Sequence, residues 1–293
     1  MKDNIKKSRI KKISVIVIIT FISIFYFAIP PREIDLLLIP KESLYNKSKN
    51  VAYLSQTPTM DEKIILAYYP GEYVQIKELP IYTKEALIII EDKRFYLHPG
   101  IDPISIARAV KEDLRTLSLS QGGSTITQQL ARNVYLGPEK TIKRKVLEIL
   151  ISIKIESVYS KDEILEFYLN YVYFGDELLN NSDYAKPMYG IQQASIFYFN
   201  TSAENLNLAE TTFLIATLRN PRAYSPYTYF QKNKERQELI LSLMLENEYI
   251  TKEEYQNAVN YNITLISHRI DNEYVLEELL PRGVPTNHKT LII

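Results

Sequence analysis

The chain has 293 residues, 46% of them hydrophobic, enough to bury one generous core or a core with smaller lobes, so one main domain is expected. Its 35 Lys and Arg balance 35 Asp and Glu, which excludes a global field advertising nucleic acid or another polyanion as partner and leaves any electrostatics local. The absence of cysteine excludes disulfides and thiolate metal sites and points to no particular redox compartment.

In chain order, "MKDNIKKSRIKK" carries six Lys and Arg against one Asp and precedes "ISVIVIITFISIFYFAI", residues 13–29, which holds no charge. At 17 residues this run sits at the short limit for crossing a hydrocarbon core of about 30 Å, and Pro30-Pro31 ends the helix. The basic flank belongs on the cytoplasmic side, which puts everything after Pro30 outside. A cleaved signal peptide would have a shorter apolar region and a small-x-small site, so an uncleaved anchor is the preferred reading. Residues 1–12 are then a cytoplasmic basic tail, 13–29 the anchor, and 30–80 a linker and lobe edge whose apolar runs, such as "KIILAYY", leave room for a strand or two.

Beyond Thr83 helix signals are frequent. Thr83 is placed to cap "KEALIIIEDKRFY". Asp102 before Pro103 reads as an N-cap with proline at the first helical position, and Thr125/Gln128, Ser160/Glu163 and Thr251/Glu254 have capping-box spacing. The domain, residues 81–265, is therefore mostly α-helical, without internal repeats, and residues 266–293 read as a tail.

Four stretches carry more polarity than a core tolerates. "EDKRFYLHPGID" (91–102) crowds charged, aromatic and imidazole side chains against a Pro-Gly turn. "GGSTITQQLARN" (122–133) opens a helix with hydroxyls and amides, a start suited to sugar hydroxyls or phosphate. "KTIKRKVLEILISIKIE" (140–156) puts Arg144 and Glu148 on one helical face, and "KDEILEFYLNYVYFG" (161–175) reads as an aromatic-rich amphipathic helix closing on Gly175. Taken singly, each has a plain structural reading: a solvated helix-end carboxylate for Glu91, a structural hydrogen bond for His98, an exposed salt-bridged face for Arg144, Lys145 and Glu148, and an ordinary helix turn for Thr127–Gln129.

Together, in this order, and with "LAETTFLIATLRNPRAYSP" from Leu208 to Pro226, they resemble the motifs of the peptidoglycan glycosyltransferases, glycosyltransferase family 51. The resemblance runs from about Leu79 to Asn260. It implies a lysozyme-like bilobal fold behind the single N-terminal transmembrane helix, with a cleft between a large α-helical lobe and a smaller apolar lobe. The smaller lobe is expected between the first two motifs, where "ISIARAVKEDLRTLSLS" offers a face for the lipid interface or for ordinary core. Fewer than 70 residues follow Pro226, and the one Ser-x-x-Lys spacing, Ser8 to Lys11, precedes the anchor, so a transpeptidase partner domain is not expected here and a monofunctional enzyme is.

The implied reaction extends a lipid-pyrophosphate-linked glycan by one disaccharide of lipid II, with inversion at the anomeric carbon. The resemblance makes Glu91 the general base and Glu148 the second acidic residue, orienting Arg144 or helping to hold a divalent cation, Mg or Mn. Arg132, Lys140, Arg144 and Lys145 would receive the pyrophosphate charge. Asp92, Phe95 and His98 would shape the wall around the base, and Ser124, Thr125, Thr127, Gln128, Gln129 and Asn133 would line the sugar and phosphate cleft. No organic cofactor and no nucleic acid is implied. The implied partners are lipid II, the growing lipid-linked glycan, membrane lipid and other wall-synthesis proteins such as a transpeptidase, at the bacterial plasma membrane. A lytic transglycosylase would share a carboxylate in a helical cleft without needing the four basic residues, and an inactive scaffold would have lost acids or bases.

The chain departs from the family pattern at Ser152, where alanine is usual, at Arg132, where lysine is, and at Asn200, where glycine is expected. "DELLNNSDYAKPM" is interposed before Tyr189-Gly190 and predicts a longer loop.

Overall fold

The computed structural model describes residues 73–116, 123–136, 139–178 and 185–266, with side chains except at 110–116, 177–178 and 185–186. The basic tail, the anchor, nearly all of the linker, and the C-terminal tail after Ile266 lie outside the described residues. Among the described residues no helix is long and apolar enough to cross a membrane.

The described chain is mostly helical: α1 (Ile81–Glu91), a 3-10 turn (Phe95–Leu97), α2 (Pro103–Thr116), α3 (Ile126–Tyr135), α4 (Ile142–Val158), α5 (Lys161–Tyr171), the strands β1 (Tyr173–Leu178) and β2 (Ala185–Tyr189), α6 (Ile191–Phe199), a second 3-10 turn (Ala203–Asn205), α7 (Leu208–Thr217), α8 (Phe230–Glu246) and α9 (Lys252–Asn260). It divides into two compact units, one holding residues 94–164 and the other residues 73–93 with 165–266. The first extends through the third motif, well past the segment between the first two motifs where a smaller lobe is expected.

In the first unit, α3 packs on α4 and buries Ile126, Leu130, Ile151 and Ile155. The expected caps form. Asp102 accepts from the Ile104 N–H at 2.9 Å, and Thr125 and Gln128 make a reciprocal capping box. Thr141 caps α4 by accepting from the Arg144 N–H. Gly100 has φ +91°, and a Cβ there would meet the Ser152 carbonyl oxygen at 2.8 Å, so the turn after the first motif closes against α4 only with glycine.

In the second unit, α1, α7 and α8 pack together around Leu87, Phe213, Ile240, Leu241 and Met244. Val74 and Leu79 are buried as well, and Asn170 holds the Val74 backbone from both sides, accepting from its N–H at 3.0 Å and donating to its carbonyl at 2.8 Å.

Two expected helices differ. α1 starts two residues before Thr83, behind Pro80, whose carbonyl accepts the Thr83 N–H, so Thr83 is an interior residue with a buried hydroxyl and caps nothing. The helix then stops at Glu91 rather than continuing to Tyr96, because Asp92 leaves helical geometry (φ −153°, ψ 68°). α5 ends at Tyr171 instead of Gly175. The following residues form an antiparallel hairpin with β2, pairing Tyr173 with Tyr189 and Gly175 with Met188, and a bulge at Phe174 turns that ring into the core. Of the expected long loop, residues 176–178 and 185–188 are paired strand, and residues 179–184 lie outside the described residues.

Candidate active site

Within the first unit the second and third motifs meet through Glu148. Its side chain, on α4, is wholly buried, and its two oxygens are taken by two cations: Arg144 Nη1 donates to Oε2 and Lys145 Nζ to Oε1. Arg144 also donates through Nε to the Glu139 carbonyl, and Lys145 Nζ reaches Ser124 Oγ at 2.8 Å. One carboxylate therefore aligns a guanidinium and an ammonium with the glycine-led start of α3. The i, i+4 and i, i+3 spacing dictates that contact, while burial makes it costly to break.

Most hydrogen bonds of the polar start of α3 are made within the first unit. Thr125 Oγ1 donates to the Gly100 carbonyl at 2.7 Å, Thr127 Oγ1 donates to Glu156 at 2.6 Å, and Gln128 Oε1 accepts from the Thr125 N–H at 3.0 Å. Gln128 Nε2 is buried and finds no acceptor among the described residues. A buried amide donor left open is expensive without a ligand. Gln129 is half-buried, Arg132 and Asn133 lie in the last turns of α3 with Asn133 exposed, and Lys140 is exposed ahead of α4.

Residues of the first motif from Arg94 to Asp102 lie in this unit too. Phe95 is wholly buried, under the Lys161 ammonium at 4.3 Å from the ring centroid and edge-on to His98. His98 is buried, and its Nδ1 accepts the Gly100 N–H at 3.2 Å. Lys161 ties the turn down by donating to the His98 carbonyl and to Glu156, both at 2.8 Å. Asp102, buried, accepts from Ser105 Oγ at 2.6 Å and pairs with Arg94 at 3.1 Å. Burial pushes its carboxyl up, but the hydrogen bonds from Ser105 and Ile104 and the Arg94 charge outweigh this and hold it below the usual carboxylate range.

Glu91 belongs to the second unit, at the C-terminal end of α1, with Asp92 buried beside it. Its Oε1 lies 3.2 Å from Arg236 Nη2 on α8, and both side chains are largely buried. Burial pulls the Arg236 guanidinium below its ordinary range, and the Glu91 carboxylate opposes that. Sequence reading missed Arg236, 145 residues away. One local signal was available: Asn233, Arg236 and Gln237 occupy i, i+3 and i+4 on the face of α8 that continues into Ile240, Leu241 and Met244, so polar side chains stand where core is due.

No group of three His, Cys, Asp or Glu suited to a metal occurs among the described residues, and both Glu148 oxygens are committed to cations.

The profile of the family described as Transglycosylase matches residues 61–245, and both clusters fall inside that range. The chain belongs to the Transglycosylase family. Penicillin-binding protein 1F of Bacillus subtilis (strain 168) is 44% identical over 198 residues, 68% of this chain and 26% of that protein. Penicillin-binding protein 1A of Aquifex aeolicus (strain VF5) is 39% identical over 202 residues, 69% and 26% respectively. This transglycosylase-family chain thus spans about a quarter of the length of the curated relatives it matches. A crystal structure of penicillin-binding protein 1A from Haemophilus influenzae aligns at 27% identity with a TM-score of 0.31, covering 52% of this chain and 18% of that one, and the family assignment rests on the sequence matches.

Proposed function

We propose that the chain polymerises lipid II into peptidoglycan glycan strands by inverting β-1,4 glycosyl transfer, releasing undecaprenyl pyrophosphate. The acceptor 4-hydroxyl oxygen attacks the donor's anomeric carbon, the bond from that carbon to the pyrophosphate oxygen breaks, and the hydroxyl proton passes to the Glu91 carboxylate. The leaving pyrophosphate keeps the electron pair, and its growing charge is met by Arg144 and Lys145, with Lys140 and Arg132 as further cations.

The observation that carries this reading is the buried Glu148, which holds Arg144 and Lys145 side by side before any substrate arrives. Donors fixed in advance where charge develops need no reorganisation during the reaction, and a hydrolase of neutral glycan has no use for such a pair. Ser124, already bonded to Lys145, and the open Gln128 amide would bind the phosphate and sugar beside it.

Wall context follows from the same reading: anchoring through residues 13–29 in the bacterial plasma membrane with the catalytic part outside, contact with membrane lipid and the growing lipid-linked chain, and cooperation with a transpeptidase. The lysozyme-like bilobal arrangement belongs to the proposal too.

The test is incubation of the purified chain in detergent with fluorescent lipid II, followed by gel sizing and muramidase digestion. Polymer that digests to disaccharide units, with undecaprenyl pyrophosphate released at one per new bond, is expected. Lipid II binding without polymer would contradict it and leave a scaffold.

A further inference from the structure

We infer that Arg236 is the positioning residue for Glu91, fixing the direction in which that carboxylate faces. This rests on the reading of Glu91 as the base. The buried face of α8 carries Asn233, Arg236 and Gln237. Two of these fasten the helix: Asn233 Nδ2 donates to Thr217 Oγ1 at 2.9 Å and to the Tyr224 carbonyl at 2.8 Å, and Gln237 Nε2 donates to the Ala209 carbonyl at 2.7 Å. The helix is thereby pinned to α7 and to the loop after it, above and below the arginine. Arg236 does not share that duty. Its guanidinium lies 5.7 Å from the Tyr224 ring centroid and gives Nη2 to Glu91, while its buried Nε finds no acceptor among the described residues.

Burying a guanidinium carries a desolvation cost before pairing, and a well-packed apolar side chain of similar volume is often as stable or more so. A charge kept in this position therefore does something packing does not require. Glu91 is the last residue of α1, where the chain leaves helical geometry at Asp92. A planar cation mounted on a pinned helix supplies a hold on its carboxylate.

Steady-state kinetics with lipid II test this on Arg236→Met and Arg236→Lys, with Glu91→Gln in the same assay and melting temperatures for all. Arg236→Met is expected to lower kcat about 100-fold, the effect of a misplaced catalytic group, with KM within about twofold of wild type. Arg236→Lys, which keeps the charge but not the fork, is expected to recover about tenfold of that loss, and it decides the matter if the methionine variant does not fold. A wild-type kcat in the folded variant, or a KM that rises in step with the fall in kcat, would overturn the positioning role. Should Glu91→Gln itself turn over normally, it is the base reading that fails; a dead Glu91→Gln beside a fully active Arg236→Met removes this inference alone.

Discussion

A carboxylate with no exposed surface and a cation on each oxygen is an investment that the second and third motifs concentrate in Glu148. Replacing it with glutamine removes the charge while keeping the shape. Hydrogen bonds to charged groups contribute about 1.5–3 kcal/mol each, discounted here because Lys145 is partly exposed, so Glu148→Gln should lower unfolding free energy by about 2 kcal/mol in urea titration. It should also weaken binding of a pyrophosphate-lipid analogue, and a variant as stable and as tight as wild type would mean that the cations are placed by something else. Asp102 makes a pH prediction. Its folded value lies below the unfolded one, so its contribution is present above the unfolded pKa of about 4 and is lost as pH falls through the lower folded value. Urea midpoints should fall less steeply below about pH 4 in Asp102→Asn than in wild type, though from a lower starting point.

At the scale of elements, the features legible in sequence are those whose physics is local. Thr125, Ser160 and Thr251 each reach the N–H three residues on and are each reached back by Gln128, Glu163 and Glu254, contacts that need only four consecutive residues. The hairpin was not legible, because "FYLNYVYF" alternates too weakly to separate a helix end from a strand and its pairing with Met188 and Tyr189 is non-local. Likewise Arg236 is seen to matter only when α8 lies on α1, although the polar triplet on its apolar face marked the place. Asn200 shows a departure from the family pattern explained by backbone geometry: it sits at φ 53°, ψ 36°, past the end of α6, a conformation asparagine tolerates where glycine is usual. Asn200→Ala should cost about 1 kcal/mol by thermal unfolding, whereas Asn200→Gly should stay within about 0.5 kcal/mol of wild type.

Over the whole molecule, balanced charge left function to be carried by local clusters, and each unit holds one: Glu148 with Arg144 and Lys145 in the first, Glu91 with Arg236 in the second. The order of the motifs made the family legible, since residue types and spacing survive in sequence even where the contacts do not. What the motifs could not supply was Arg236, the partner of Glu91, carried by a helix that follows the last of them. The measurement that bears most directly on the account is polymerisation of lipid II by wild type and Glu91→Gln side by side, with and without divalent cation, with lipid II affinity and melting temperature taken on the same preparations. Long glycan from wild type and a loss of at least about 100-fold in Glu91→Gln, with folding and affinity retained, is the predicted result. Polymer made at the wild-type rate by the folded glutamine variant would contradict it, because the acceptor proton would then be leaving by another route.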